Sequence, residues 1–236
     1  TLALQICQED FLPEASRFEQ LEELDWAFGT MGTQDKAKHL ATLYLEDISD
    51  FIVECVDPNF GFSRYAERLG RSANSFDELY QALQQEPTYI DSVLLSILKV
   101  KIETIQPSVF LISVPFPGNL YAAFRSAQWL KNHHPEIKIL MGGGFANTEL
   151  RSLSDERVFE FFDFISLDDG ELPLELIIEN IESGLNSEFK RTFLLENGKV
   201  VYKNNSPRHD YKQSHVGTPD YSDLLLDKYI SVMEIV

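Results

Sequence analysis

Residues 13–106 carry apolar side chains at the spacing of amphipathic helices. Ser75 and Glu78 stand three residues apart and predict a capping box that opens a helix. Residues Tyr89–Ile105 predict a further amphipathic helix, which Pro107 ends. The apolar positions that recur at intervals near 3.6 are Leu21, Leu24, Phe28, Leu40, Leu43, Ile48, Phe51, Ile52 and Cys55. Together these patterns predict a large helical insert over residues 13–106.

Short apolar runs predict strands on either side of this insert. The run Leu2–Cys7, within residues 1–12, precedes the insert, and the unbroken run Val109–Val114 follows it. The runs Ile137–Met141 and Phe164–Leu167 come next. An unbroken apolar run is typical of a parallel strand that is buried on both faces. We therefore expect Val109–Val114 to be central in the sheet, with the two later strands to one side.

Helical stretches separate the later strands. Asn119 is a favourable N-cap for the first of these helices, while Pro173 suits the first turn of the last helix and Gly184 suits its end. The predicted helices are one from Leu120 that ends near His134 and Pro135, one over Ser154–Phe161, and one from Pro173 to Gly184. Strands that alternate with helices predict an α/β fold with a Rossmann-like, doubly wound parallel sheet over residues 107–188.

The pattern changes again over residues 189–236. Asn197 and Gly198 form a strong turn signal between two short apolar runs, which predicts a C-terminal β-hairpin. Its predicted strands are Thr192–Leu195 and Lys199–Tyr202. The polar stretch Lys203–Thr218 predicts a linker. The apolar run Ile230–Val236 predicts the first strand of a further domain that is not present in this chain.

Composition and charge make several classes of function unfavourable. The chain has 38 acidic and 20 basic residues, and its net charge of −18 repels a phosphate backbone, so we expect no nucleic-acid partner. No apolar run reaches the roughly 18 to 20 residues of a membrane span, and the start of the chain lacks a signal-peptide pattern. Cys7 and Cys55 lie far apart in apolar settings, which is typical of buried thiols in a reducing cytoplasm.

Histidine and cysteine do not form a metal or catalytic motif in this sequence. Neither cysteine belongs to a Cys-x-x-Cys pair, so we do not expect this chain to hold an iron–sulfur cluster. There is no Walker loop. No histidine has another metal-ligating residue at the sequence spacing that a metal site requires. The five histidines are His39, His133, His134, His209 and His215. We therefore expect the chain by itself to be catalytically inert.

Candidate ligand-binding residues lie in three loops. Open parallel sheets bind ligands outside the carboxyl ends of their strands, where we predict the loops Ser113–Asn119, Gly142–Asn147 and Asp168–Glu171. The candidate residues in these loops are Ser113, Pro115, Phe116, Gly118, Asn119, Gly142, Gly143, Gly144, Asp168, Gly170 and Glu171.

Each loop also has a structural interpretation. Three successive glycines let a ligand approach the backbone closely, whereas one glycine would suffice for a tight turn, so binding is the favoured interpretation there. The first loop precedes a helix N-terminus, which suits an anion, but Phe116 fits the core equally well. Carboxylates such as Asp168 and Glu171 suit a helix start, so capping is favoured for the third loop.

The order of these motifs resembles the cobalamin-binding domain that precedes the catalytic barrel of radical S-adenosylmethionine (SAM) enzymes. The resemblance covers Ser108–Val236 and leaves the helical insert outside it. The matching strings are Ser108–Asn119 (SVFLISVPFPGN), Gln128–Lys131 (QWLK), Ile139–Gly144 (ILMGGG), Asp163–Ile165 (DFI), Asp169–Glu171 (DGE) and the tail from Pro219 to Tyr229.

This resemblance implies a cofactor and a partner. It implies that Ser113 meets the nucleotide loop of cobalamin and that the glycines lie beside the nucleotide. It matches Asp168–Glu171 to a Gly-Glu-Gly-Glu turn, from which this chain departs at the first two positions. An Asp-x-His-x-x-Gly motif, whose histidine ligates cobalt in other cobalamin domains, is absent. The implied partner is a downstream radical SAM domain of the same polypeptide, which would hold the 4Fe–4S cluster and S-adenosylmethionine.

Two other functions stay open at this point. A degenerate domain of the same fold would serve in interaction or scaffolding and bind no cofactor. A dinucleotide-binding oxidoreductase would use Gly142-x-Gly144 and Asp168, but Asn147 stands where its third small residue belongs.

Overall fold

A computed structural model describes residue 17 and residues 32–62, 65–71, 76–185 and 187–225. These residues form a mixed α/β fold. The α-helices are α1 (Thr33–Cys55), α2 (Glu67–Arg71), α3 (Asp77–Leu83), α4 (Tyr89–Ile105), α5 (Leu120–His133), α6 (Gly144–Glu149) and α7 (Glu171–Ser183). The strands are β1 (Val109–Ser113), β2 (Lys138–Gly142), β3 (Phe164–Ser166), β4 (Thr192–Glu196) and β5 (Lys199–Lys203). Short 3₁₀ turns form at Pro117–Asn119, Glu156–Glu160 and Gln213–His215.

The five described strands form one open sheet in the order β1-β2-β3-β4-β5. β1, β2 and β3 are parallel, whereas β4 and β5 are each antiparallel to the strand before them. Asn197 and Gly198 both have positive φ angles, of 52° and 75°, as a two-residue hairpin turn of this kind requires. The predicted hairpin is thus confirmed, and it extends the main sheet.

Helices cover both faces of the sheet. Side chains alternate along β2, so that Ile139 and Met141 pack with α5 and the insert, while Leu140 points to the opposite face. Leu140 packs there with Ile177 of α7 and with Phe189. Because both faces of β2 are covered, side chains that point in alternate directions are all buried, and the strand is apolar at successive positions.

The position of β1 differs from the sequence-based expectation. β2 and β3 lie to one side of it, as predicted, but β1 is the terminal strand of the described sheet, and its Leu111 is 49% exposed. The predicted strand Leu2–Cys7 lies outside the described residues, as does Ile230–Val236. The described strands follow chain order without a reversal, so the doubly wound arrangement stays a prediction.

The insert is helical over its described part. Helix α4 has the predicted bounds and ends at Gln106, whose φ angle is 49°. Its capping box is formed by Thr88 and Asp91, which the sequence analysis missed. The capping box predicted at Ser75 falls on a residue outside the described ones, and α3 begins at Asp77. Among the described helices, none has the length and apolar character that a bilayer crossing requires.

Three further expectations need correction. Asn119 precedes α5, but its side chain makes no capping hydrogen bond. Residues 203–218, predicted as a linker, are partly docked, because Arg208 pairs with Glu175 and Glu179 of α7. Cys55 is only partly buried, and Cys7 lies outside the described residues.

Arg125 of α5 joins the sheet domain to the insert through buried hydrogen bonds. Its side chain is 4% exposed, and its Nε lies 3.1 Å from Asp91 Oδ2 of α4. Its guanidinium also donates to the carbonyl oxygens of Ala82 and Leu83 at the end of α3, at 3.1 and 3.0 Å. One side chain therefore holds two insert helices against α5.

Tyr121, one turn before Arg125, completes this connection. Its hydroxyl donates to Asp91 Oδ2 at 2.7 Å and accepts from Arg125 at 2.8 Å. Burial, and then the hydrogen bond to Asp91, raises the pKa of Tyr121 to about 12, so the phenol keeps its proton at neutral pH. Nearby, the Tyr65 hydroxyl donates to the buried carboxylate of Asp57 at 2.8 Å.

Asp163 fixes the amino ends of β2 and β3. Its Oδ2 accepts from Lys131 Nζ at 2.5 Å and from the amide of Ile139 at 2.8 Å. Burial raises its pKa, but these hydrogen bonds outweigh burial and leave the pKa below its usual value. Asp163 therefore adds stability that is present above its unfolded pKa of about 3.9 and is lost as the pH falls through the lower folded value.

A charge in the buried layer of β2 should unfold the domain. Ile139 is 0% exposed, so Ile139→Asp buries an unpaired carboxylate at a cost of several kcal/mol, comparable to a typical domain's stability (~5–15 kcal/mol). Leu111→Asp, at a half-exposed position of the neighbouring strand β1, is the control and should stay folded. Ile112 is partly buried, so Ile112→Asp should fall between them. Equal melting temperatures for the three variants would contradict this assignment of the core.

Loss of the Arg125 guanidinium should destabilise the whole fold. Arg125→Met leaves the carboxylate of Asp91 buried without its partner, and we expect the free energy of unfolding to fall by about 3–5 kcal/mol. Arg68→Met is the control, since the Arg68 side chain is 80% exposed and lies 4.0 Å from Glu78; it should cost less than about 1 kcal/mol. Urea unfolding followed by circular dichroism measures both, and equal costs would refute the proposed connection.

Candidate functional site

The three candidate loops meet at the carboxyl ends of the parallel strands. Ser113 at the end of β1 is paired in register with Gly142 at the end of β2. A Cβ atom on Gly142 would lie 3.0 Å from Ser166 Oγ at the end of β3. The third loop is joined to the second because the amide of Asp168 donates to Asn147 Oδ1 at 2.7 Å. The structure thus places the candidate residues along one edge of the sheet.

The glycines of the second loop have a structural role. Gly143 has a φ angle of 100°, and a Cβ atom there would lie 2.8 Å from both the N and O atoms of Val114. A Cβ atom on Gly144 would lie 2.8 Å from the carbonyl oxygen of Pro115. The amide of Phe145 then donates to the Val114 carbonyl at 2.9 Å. The first loop itself therefore occupies the space that these glycines leave clear, although Gly144 keeps an exposed backbone.

The first loop presents its side chains to solvent. Phe116 is 67% exposed, which rules out the core position that the sequence left open for it. Ser113 is also exposed, and its Oγ lies where a Cβ atom on Gly143 would come within 2.9 Å. Helix α5 begins directly after this loop and has no side-chain cap. A hydroxyl, an aromatic ring and a helix N-terminus are therefore grouped at this edge.

Helix α2 of the insert packs against the first loop. Gly70 of α2 is so close to Pro117 that a Cβ atom on Gly70 would lie 2.3 Å from the Pro117 carbonyl oxygen. The 3₁₀ turn that contains Gly118 and Asn119 is thereby packed against the insert. The resemblance described above left the insert unexplained, and this contact gives it one structural role.

The acidic third loop does not cap the helix that follows. Gly170 is the N-cap of α7, and no side chain makes a capping hydrogen bond there. The carboxylate of Asp168 instead pairs with Arg151, and this hydrogen bond raises the pKa of Arg151. Asp168 has a φ angle of 59°, in the left-handed region. Glu171 is exposed and lies in the first turn of α7.

No protein-family model, curated protein or solved structure matches this chain. The family resemblance accordingly stays a prediction, and function is inferred from the geometry of the chain itself.

A cavity of about 470 Å³ lies beside the first two loops, between the insert and the sheet domain. Its apolar wall includes Leu79, Phe124 and Phe145. Arg157 lies at the polar side of the cavity and donates to Asp155 at 2.6 Å and to Asp77 at 2.8 Å. Protein carboxylates therefore engage this guanidinium, which is not positioned to neutralise an anionic ligand.

Two of the histidines lie away from the candidate edge. His133 ends α5 and His134 caps it. They therefore lie at the opposite end of the sheet from the three loops. In the described part of the chain, no three His, Cys, Asp or Glu side chains come together as a metal site.

Three residues that no sequence motif marked as site residues hold the third loop in place. The Asn147 side chain accepts from the amide of Asp168, and Arg151 pairs with the Asp168 carboxylate. Arg191 donates to the carbonyl oxygen of Asp169 at 2.9 Å. Each contact joins residues 17 to 22 positions apart in sequence. No periodicity or motif marks such pairs, because they depend on how β2, β3 and β4 align.

Gly143 should tolerate no side chain, whereas Gly170 should. Gly143→Ala places a Cβ atom against backbone that cannot move easily and in a left-handed conformation, so we expect a loss of several kcal/mol. Gly170 has a φ angle of −84° and nothing within 4 Å of the added atom, so Gly170→Ala should be neutral. Thermal unfolding of both variants provides the comparison. A stable Gly143→Ala protein would show that the two loops are not in contact.

Proposed function

We propose that this chain is a cobalamin-binding-type module of a radical SAM enzyme. In this proposal the module is not itself catalytic. It positions cobalamin, or a substrate, for a downstream radical SAM domain of the same polypeptide, which carries the 4Fe–4S cluster and S-adenosylmethionine. The observation that supports it most directly is the convergence of Ser113, Phe116 and Asp168 at one edge of an open α/β sheet, the place where such sheets bind ligands.

The residues at this edge fit part of such a site. The exposed Ser113 hydroxyl can donate to or accept from the nucleotide tail, and the exposed Phe116 ring offers an apolar surface. The start of α5 is less suited to the phosphate of that tail, because the amide of Leu120 already donates within the preceding 3₁₀ turn. The second loop does not fit a cobalamin site, since backbone atoms of Val114 and Pro115 already occupy the space beside its glycines. When bound, the cofactor would supply its cobalt chemistry, while these side chains would bind and orient it.

Titration with hydroxocobalamin, followed by the visible spectrum, tests this proposal. We expect Phe116→Ala to weaken binding roughly tenfold, which corresponds to about 1.4 kcal/mol of lost contact. Because Phe116 is 67% exposed, this change should leave the fold intact. Phe62→Ala is the matched control, since Phe62 is 56% exposed and lies in the insert; it should bind as the parent protein does. Gly143 variants are unsuitable here, because they disturb the fold.

The same titration tests the cobalt ligand. None of the three loops contains a histidine, so replacing each of the five histidines singly by alanine should leave the spectral change intact. Loss of the change in one histidine variant would keep the cofactor and refute this part of the proposal. The titration should also be made on the longer polypeptide that this proposal implies, which includes the downstream radical SAM domain.

The second candidate function is an interaction or scaffolding domain that binds no cofactor. Two observations favour it. The first loop fills the space above Gly143 and Gly144, and the outer side of α4 exposes an apolar row. That row consists of Tyr89, Val93, Ile97 and Val100, each at least 44% exposed. Exposed apolar surface of this kind is typical of contact with other proteins. This second function is favoured if the hydroxocobalamin spectrum is unchanged both with this chain and with the longer polypeptide.

A further inference from the structure

Arg191 links the third loop to a distant segment of the chain. It stands immediately before β4, and its Nη2 donates to the carbonyl oxygen of Asp169 at 2.9 Å. The backbone also joins the two, since the amide of Leu167 donates to the Arg191 carbonyl at 2.9 Å. The same guanidinium binds both carboxylate oxygens of Asp210, at 2.9 and 2.6 Å. One side chain, 13% exposed, thus touches the turn Asp168–Glu171 and the chain beyond the hairpin.

The backbone at Arg191 indicates a constraint. Its φ angle is 45°, in the left-handed region, which residues with a Cβ atom adopt only with backbone strain. A glycine would adopt this conformation without strain. The chain has arginine there, and the forked contact with Asp210 and Asp169 is the interaction that only this side chain supplies.

Asp210 belongs to a segment that packs along α7, here termed the docked segment (residues 204–211). The amides of Asn205 and Ser206 both donate to the carbonyl oxygen of Phe189, each at 3.0 Å. Arg208 binds Glu179 through two contacts of 3.0 Å, and Tyr211 donates to Glu175. The docked segment therefore has its own attachment to the domain, and Asp210 is the point at which it meets Arg191.

We propose that Arg191 is a positioning residue that couples the turn Asp168–Glu171 to the docked segment. This inference rests on the proposed function, because it treats that turn as part of the ligand edge. Docking of the segment places Asp210 against Arg191, which holds the guanidinium on the Asp169 carbonyl and keeps the turn ordered. By linkage, a ligand that binds the ordered turn strengthens docking by the same factor. The disposition of the chain that follows the domain would then depend on ligand binding.

Hydrogen–deuterium exchange tests this coupling without any ligand. In Asp210→Ala and in Arg191→Lys, whose ammonium cannot form the fork, we expect amides of the turn Asp168–Glu171 to exchange roughly tenfold faster, as for about 1.4 kcal/mol of lost local stability. Asp210→Glu keeps a carboxylate and should recover part of the protection. Glu196→Gln is the control, because it removes the ion pair with Lys203 on the hairpin and leaves Arg191 untouched; it should exchange as the parent does.

Hydroxocobalamin then provides a readout that a purely structural contact would not move. In the parent protein it should slow exchange in the docked segment, and in Asp210→Ala that distant protection should disappear while the dissociation constant rises several-fold. Unchanged exchange of the turn in both Arg191→Lys and Asp210→Ala would overturn the coupling. If the parent binds no hydroxocobalamin, the proposed function fails, and faster exchange of the turn in the ligand-free variants would still support the coupling.

Discussion

The buried contact between Arg125 and Asp91 is the constraint on which the rest of this structure depends. A guanidinium and a carboxylate removed from water are tolerated only when their hydrogen bonds are made. Arg125 meets this condition with Asp91, Tyr121 and carbonyl groups of α3. Asp91 keeps one oxygen, Oδ1, that is buried without a hydrogen-bond partner among the described residues. Removal of the arginine would therefore leave this carboxylate with a large uncompensated desolvation cost.

This contact also determines the shape of the candidate edge. Because Arg125 lies on α5, it fixes the insert against the helix whose start carries the first loop. Gly70 of the insert then packs on Pro117 of that loop, and Val114 and Pro115 pack in turn on Gly143 and Gly144. The conformation of the candidate edge is thus supported through backbone contacts that begin in the insert.

The glycines illustrate why chemistry alone was ambiguous. A run such as Gly142–Gly144 can serve a ligand or the chain's own backbone, because both need the absence of a Cβ atom, and three successive glycines favoured the ligand. Only the tertiary structure shows that Val114 lies there. For the third loop the favoured interpretation was helix capping, because carboxylates suit a helix start in general, but here Asp168 pairs with Arg151 instead. Its role was decided by a partner 17 residues away.

The sequence by itself determined two of the local elements, because their causes are local. Helix α4 has the predicted bounds, and the hairpin turn at Asn197 and Gly198 formed where the turn residues placed it. The parallel strands and their shared carboxyl edge also followed from the alternation of strands and helices. Only the tertiary structure decided that β1 ends the described sheet and that Arg125 and Arg191 join distant segments. Those outcomes depend on contacts between residues far apart in the chain, which no local spacing of side chains encodes.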